Sequence, residues 1–274
     1  MSFYEMFLRF PDFKTKTVTL SFDDGFIEDR KMIEILNKNG IKCTFNLNSG
    51  IIKGFDNKVQ FEELKELYKG HEVACHTYTH PHLNNLDLGE IAFQVIKDRE
   101  ILEEQMGCIV EGFAYPFGLI ETEGMIECIK NCGIKYGRTT ASSYKFDLPD
   151  DYLRWNPTCW QTDSKIFELA EEFFKPDDTE NFWRIKPMVF YIGGHSYEFR
   201  GNWERLEKIC KTFGNKENIW YATNMEIIEY ISAFKSLCRS VNGEIIHNPT
   251  NINIFVVVNG KNLLIEKGKT IALK

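Results

Sequence analysis

TVTLSFDDGFIEDRKMIEILNKNGIKCTFN, residues 17–46, packs a strand, a helix and a second strand into one short stretch. Residues 17–21 are β-prone; apolar side chains then recur at helical spacing (Ile27, Met32, Ile33, Ile35, Leu36), and Gly40 ends that helix before a second β run over 41–46. The alternation repeats downstream. Residues 72–76 read as a strand followed by a helix over 88–106, and residues 112–115 as a strand followed by a helix over 123–132. Further strands are predicted at 135–138, 187–192 and 219–222, with helices starting near Lys165, Asn202 and Asn224. Repeated β/α units imply an α/β fold, a parallel sheet covered by helices. About seven units in roughly 240 residues fit a barrel better than an open sheet.

After Val241 the pattern changes. Residues 252–258 are β-rich, Asn259-Gly260 is a two-residue hairpin turn, and 263–265 and 270–273 supply return strands around Gly268. The expected division is a barrel over 1–240 and a small C-terminal β-hairpin appendage over 241–274. Phe255 is the appendage's single aromatic, too little for a sugar-stacking platform, so it is read as a cap on the barrel or a subunit contact.

The 274 residues, 43% hydrophobic and 27% charged, have the composition of an ordinary globular chain able to bury a full core. A net charge of -7 with dispersed Lys and Arg leaves no basic face for nucleic acid. Residues 1–17 mix aromatics with Glu5, Arg9, Asp12, Lys14 and Lys16 and lack the apolar run of a signal peptide; no later segment is long and apolar enough for a bilayer. A cytoplasmic location without a membrane partner is therefore expected. The eight cysteines lack paired CxxC spacing and read as reduced, mostly buried thiols, and a bridge between Cys128 and Cys132 within one helix would be geometrically poor.

Four segments carry chemistry. Ser21-Phe22-Asp23-Asp24-Gly25 lies where the first strand ends, the place where β/α folds gather active-site residues. Adjacent carboxylates before a glycine cannot share one face by simple alternation, so one can face a metal and the other a substrate; taken alone, the pair reads first as a solvated turn with an N-cap Asp. His76-Thr77-Tyr78-Thr79-His80 again follows a strand, and two imidazoles four residues apart can converge on one cation. Three of the six histidines fall between positions 76 and 82, His82 being read as loop. Phe113-Ala114-Tyr115-Pro116-Phe117-Gly118 ends a strand in a Pro and Gly turn whose fixed N–H groups suit an oxyanion. Tyr191-Ile192-Gly193-Gly194-His195-Ser196 ends an apolar strand in two glycines that allow close approach to His195.

Together these segments resemble the polysaccharide deacetylase family, also called the NodB-homology family or carbohydrate esterase family four. The resemblance runs from about Thr17 to His195: SFDDG matches the first motif, HTYTH the metal-binding HxxxH motif, AYPFG the third, and residues 192–195 the last, histidine-bearing motif. It implies a deformed (β/α)7-type barrel and one divalent cation held by Asp24, His76 and His80. Zinc comes first, with cobalt, nickel, iron or manganese acceptable to the same donors. It further implies Asp23 as general base, His195 as general acid, and the Phe117 N–H as oxyanion donor. Three protein ligands leave room for a water and a substrate carbonyl, which is the arrangement metal-dependent removal of an acetyl group from an N-acetylated sugar or glycan requires.

The sequence departs from the family pattern in two places. Where many members carry an Arg two residues before the motif Pro, this chain has Ala114, and Arg138 is the candidate replacement. The Asp and Trp group that adjusts the acid histidine is matched best by Arg154-Trp155, with Asp163 as the expected partner of His195. Tyr115, Trp155 and Arg138 are the expected substrate contacts, with Trp160 another stacking surface. Without a leader, an intracellular amino sugar, nucleotide sugar or glycolipid precursor is a better expected substrate than a cell-wall polymer. The alternatives are a metal-dependent hydrolase of a small non-sugar amide or imide, and a catalytically silent carbohydrate-binding barrel. A homo-oligomer stays open.

Overall fold

The computed structural model describes residues 5–118, 120, 122–177 and 184–273. The chain starts with β1 (Met6–Arg9) and runs into β2 (Lys16–Asp23), around which the barrel is organised. All eight residues of β2 are buried, as expected of a parallel strand covered on both faces. In order follow α1 (Asp29–Lys38), β3 (Cys43–Leu47), α2 (Ser49–Ile52), α3 (Phe61–Leu67), β4 (Glu72–Cys75), α4 (Leu88–Met106), β5 (Gly112–Ala114), α5 (Glu123–Asn131) and β6 (Tyr136–Arg138). The second half supplies β7 (Cys159–Trp160), α6 (Ile166–Phe173), β8 (Met188–His195), α7 (Trp203–Phe213), β9 (Ile219–Tyr221) and α8 (Asn224–Lys235).

The parallel sheet has the order β6-β5-β4-β3-β2-β8-β7, curled as the (β/α)7 reading expects. β8 pairs with β2 over its full length, from Lys16↔Met188 to Asp23↔His195. On its other edge β2 is shared: β3 takes the upper half, Leu20↔Cys43 to Asp23↔Asn46, and β9 the lower, Lys16↔Ile219 to Val18↔Tyr221. The stretch before β7 joins the two ends of the sheet, because Trp155 exchanges backbone bonds with β6 (its N–H to Gly137 at 2.9 Å, its carbonyl from Thr139 at 3.1 Å) and Thr158 donates to Tyr191 of β8 at 2.8 Å.

Local chemistry explains the elements that the sequence marks well. α4 spans the expected residues because Asp87 and Glu90 cap its first turn reciprocally and Gly107 ends it in a left-handed conformation. α2 and α3 were not foreseen; each is too short to carry a helical period, although Gln60 and Glu63 form a capping box on α3.

The C-terminal strands are β10 (Cys238–Arg239), β11 (Ile245–His247), β12 (Ile254–Val258), β13 (Lys261–Ile265) and β14 (Thr270–Ala272). β12 and β13 turn through Asn259 and Gly260, both at positive φ, as the Asn-Gly pair predicts. β1 pairs antiparallel with β12, Met6↔Val258 to Arg9↔Phe255, so the N-terminal strand lies in the C-terminal sheet. Leu8, Ile246, Ile254, Val256 and Ile265 form one apolar cluster with Ile227, Ile228 and Ile231 of α8 and with Tyr136 and Val189, the first residue of β6 and the second of β8. The appendage thus packs at the amino ends of the strands, opposite the rim described next.

Candidate active site

Sheet register brings the chemistry-bearing residues to one rim. Asp23 ends β2 beside Asn46 and His195; Cys75, just before His76, pairs with Phe113; and Ala114 pairs with Arg138. All sit at the carboxyl ends of parallel strands, where neighbouring strands diverge into loops and leave side chains accessible.

The two aspartates part ways for a backbone reason. Asp23 keeps strand geometry and points into the barrel, 3% exposed. Asp24 leaves the strand at φ 78° and Gly25 follows at φ 61°. A Cβ on Gly25 would stand 2.9 Å from Leu47 Cδ2, so glycine is required there on both counts. The turn is pinned by the Asp24 N–H to Asn46 O (2.9 Å) and by the buried Lys58 ammonium, which donates to Asp24 O at 2.8 Å.

One oxygen of Asp24 lies 3.9 Å from both His76 Nε2 and His80 Nε2, and the two nitrogens are 3.2 Å apart. Asp24, His76 and His80 each offer one ligand atom within 4.8 Å of the others, a geometry able to hold a metal. The donor chemistry fits. His76 Nδ1 faces Ala114 O at 2.8 Å and must carry the proton there, so neutral His76 turns a lone pair toward His80 and Asp24. Burial lowers the pKa of His76; burial, then its neighbour His76, brings His80 down to about 4. Both are neutral at pH 7, as ligands must be, and their close approach is relieved by a cation between them or a proton on His80 Nε2. Left-handed φ at Asp24, Thr77, His80 and Phe117 concentrates backbone strain at this rim.

Asp23 stands beside this trio, its Oδ2 3.8 Å from His76 Nε2 and 3.9 Å from His195 Nε2. Arg138, fully buried, donates through Nη2 to both carboxylate oxygens, and Asn46 Nδ2 adds a bond of 2.8 Å to Oδ1. Burial alone pushes this carboxyl up, but Arg138, followed by His76 and His195, outweighs it and holds Asp23 down at about 2. Arg138 therefore sits where the missing Arg would act. Its strand position is directly across from Ala114, so the neighbouring strand supplies the guanidinium.

His195 faces both aspartates, with Nε2 3.9 Å from Asp24 Oδ2 as well, and its ring stacks on Trp160 at 5.8 Å between centroids. Its carboxylate partner corrects the sequence expectation. Asp163 instead accepts from Tyr144 OH and the Lys165 N–H, whereas Glu198 Oε2 lies 3.7 Å from His195 Nδ1, an ion-pair separation, and is steadied by Gln161 Nε2 at 2.7 Å. Burial lowers the pKa of His195, but Glu198, Asp23 and Asp24 together raise it on balance. Glu198 was legible only as the third residue of the short turn after the motif histidine, a spacing that acquires meaning once that turn is 3-10.

Other expected contacts lie elsewhere. Tyr115 is fully buried with its hydroxyl on Leu153 O, and Trp155 is 3% exposed against Tyr136 and Tyr191, so both are core residues and present no face to a substrate. Arg138 likewise is closed off from a substrate by its burial. Arg154 pairs at the surface with Glu123 and Asp151. The exposed rings at the rim are Phe117, stacked on His82 at 3.7 Å, and Tyr197, 5.1 Å from His195.

Residues 11–137 match the family model described as polysaccharide deacetylase. Over 101 residues the chain is 33% identical to the uncharacterized protein YlxY of Bacillus subtilis (37% of this chain, 30% of that one). Over 105 residues it is 32% identical to a peptidoglycan-N-acetylglucosamine deacetylase of Bacillus cereus (38% and 37%). The matched stretches thus span about a third of either relative. A Mycobacterium smegmatis protein assigned to the polysaccharide deacetylases shares the fold with a TM-score of 0.59 at 17% identity, covering 85% of this chain and 96% of that one. The Xyl-CE4 domain of a multidomain xylanase from the hindgut metagenome of Trinervitermes trinervoides does so with 0.51 at 16%, covering 80% and 92%. At such identities these structures speak for the fold alone. With its motifs on the rim, the stretch over residues 11–137 belongs to the polysaccharide deacetylase family.

Proposed function

We propose that the protein is a metal-dependent hydrolase that removes an acetyl group from an N-acetylated sugar or glycan. The observation that carries this reading is the convergence of two neutral imidazoles and Asp24 on one point, with a second, separately held carboxylate and a third histidine facing it. Asp24, His76 and His80 would hold one divalent cation, zinc foremost, which when bound supplies Lewis acidity toward a water and an acyl oxygen.

The chain's own residues do the rest. Asp23, kept ionised by Arg138, accepts a proton from the attacking water at a carboxylate oxygen. The Phe117 N–H donates to the oxyanion as the carbonyl carbon becomes tetrahedral. His195, its pKa raised by Glu198, donates from Nε2 to the departing nitrogen, so that amide and water become acetate and a free amine. Phe117 with His82 on one side and Trp160 with Tyr197 on the other offer apolar faces to a sugar ring.

The test is acetate release from N-acetylglucosamine oligomers, N-acetylated nucleotide sugars and small N-acyl amides, using the full chain reconstituted with zinc or cobalt. Release from the sugars that stops with a chelator and returns with metal is the expected result. No release from any sugar by metal-loaded protein would overturn the proposal.

A further inference from the structure

Asp98 lies in α4, outside every motif that marks the rim, and is completely buried. Its Oδ2 accepts the backbone N–H of His76 at 3.0 Å, and its Oδ1 the backbone N–H of Ser49 at 2.8 Å. Among the described residues no ion pair reaches this carboxylate, whose partners are neutral donors. A buried carboxylate without a countercharge is costly, and two neutral hydrogen bonds offset that cost only partly. Burial accordingly pushes the Asp98 carboxyl up to about 7 from 3.8, so the residue acts here through its two acceptor oxygens, each on a backbone N–H.

The turn that Asp98 grips is the one bearing both imidazoles. One helical turn earlier on the same face of α4, Gln94 takes the Tyr78 N–H on its backbone carbonyl (3.0 Å) and the Thr79 N–H on its side chain (2.9 Å). From the end of β3, Asn48 Nδ2 donates to the carbonyls of His76 and Thr77, and the Gly50 N–H to Tyr78 O. Thr77 and His80 hold left-handed φ inside this clamp. Gln94 and Asn48 grip the turn at the N–H groups of Tyr78 and Thr79 and at the carbonyls of His76 and Thr77; Asp98 grips it at the N–H of the first ligand.

We propose that Asp98 is a positioning residue for the cation site: with one oxygen on the His76 N–H and the other on the Ser49 N–H, it fixes the backbone from which the imidazole is presented to the cation that His76, His80 and Asp24 would hold. The inference rests on the proposed metal reading, and it predicts that Asp98 contributes to cation affinity beyond its contribution to folding.

The experiment titrates zinc, by calorimetry, and cobalt, by visible absorption, into the full chain stripped of metal. Asp98→Asn, which retains the shape but turns an amide N–H₂ toward a backbone donor, is expected to weaken binding about 10- to 100-fold and to alter the cobalt spectrum. Asp98→Ser, a smaller acceptor, should weaken it similarly, while Gln94→Ala should change it less. Melting of each metal-free variant is measured alongside. A lowered melting temperature with wild-type dissociation constants would make Asp98 structural and overturn the proposal. Failure of both Asp98 variants to fold with metal present would do the same. Wild-type protein that binds neither ion would instead sink the cation site, a result separate from any change at Asp98.

Discussion

Arg138→Met removes a guanidinium that is wholly buried and shared by both oxygens of Asp23. Two effects follow, with magnitudes that can be separated. Asp23 is held at about 2 in the folded chain against 3.8 as its ordinary value, a depression that contributes about 2 kcal/mol at neutral pH. The sign is that of a lowered acid: the stabilisation is present above pH 3.8 and is lost as pH falls toward 2. Without Arg138, burial becomes the dominant influence, and the carboxyl should rise by roughly 1 to 3 units. Leaving one member of a buried pair uncompensated typically costs about 3 to 5 kcal/mol, more than the lost pKa depression because Asp23 would then be buried against its preference. Urea unfolding of the metal-free chain at pH 7 reads the total, and ¹³C NMR of the Asp23 carboxyl reads the titration. The double variant Asp23→Asn with Arg138→Met should be less destabilised than the sum of the single ones, since it buries no orphan charge. Additive losses, or an unmoved Asp23 titration in Arg138→Met, would refute the claim that this arginine sets the state of the base.

The neighbouring aspartates should separate by assay: Asp24→Ala loses metal and turnover together, whereas Asp23→Ala keeps the metal and loses on the order of 10²-fold or more in kcat, with metal content measured on the same preparations. Equal metal loss in both would make Asp23 a ligand. Glu198→Gln should lower the pKa of His195, so the alkaline limb of the rate profile moves to lower pH; a limb that stays put would remove Glu198 from the acid's environment. Asp29, buried in α1 with Tyr68 OH on its carboxylate at 2.6 Å, is pushed by burial to about 7 from 3.8. Here the folded chain binds the extra proton, so stability should fall as pH rises from about 4 through 7, and Asp29→Asn should flatten that slope in urea unfolding. An unchanged slope would count against the shift.

The sequence by itself determined the parts that depend on near neighbours along the chain. Strand, helix and turn periodicity around SFDDG, HTYTH and AYPFG located the rim residues, because ligand spacing and strand-end position are local properties. The Asn259-Gly260 hairpin and the limits of α4 were legible for the same reason: turn and cap chemistry act within a few residues. What the tertiary structure alone decided is which distant residues complete that rim. Arg138 stands over Asp23, 115 positions away, because β6 and β5 pair Arg138 with Ala114, and no local pattern encodes a register between separate strands. Tyr115 and Trp155 were expected at a substrate, yet barrel closure buries them; an aromatic at a strand end reads alike in sequence whether its ring faces the core or the rim. Glu198 replaced Asp163 beside His195 through a single 3-10 turn, and Asp98, unmarked by any motif, reached His76 from a helix packed behind the ligand turn. β1 joined the far sheet across some 250 residues of chain, a pairing set by which apolar edge was left to cover. Local chemistry set out the candidate ligands, and packing over long separations chose the groups that hold them in place.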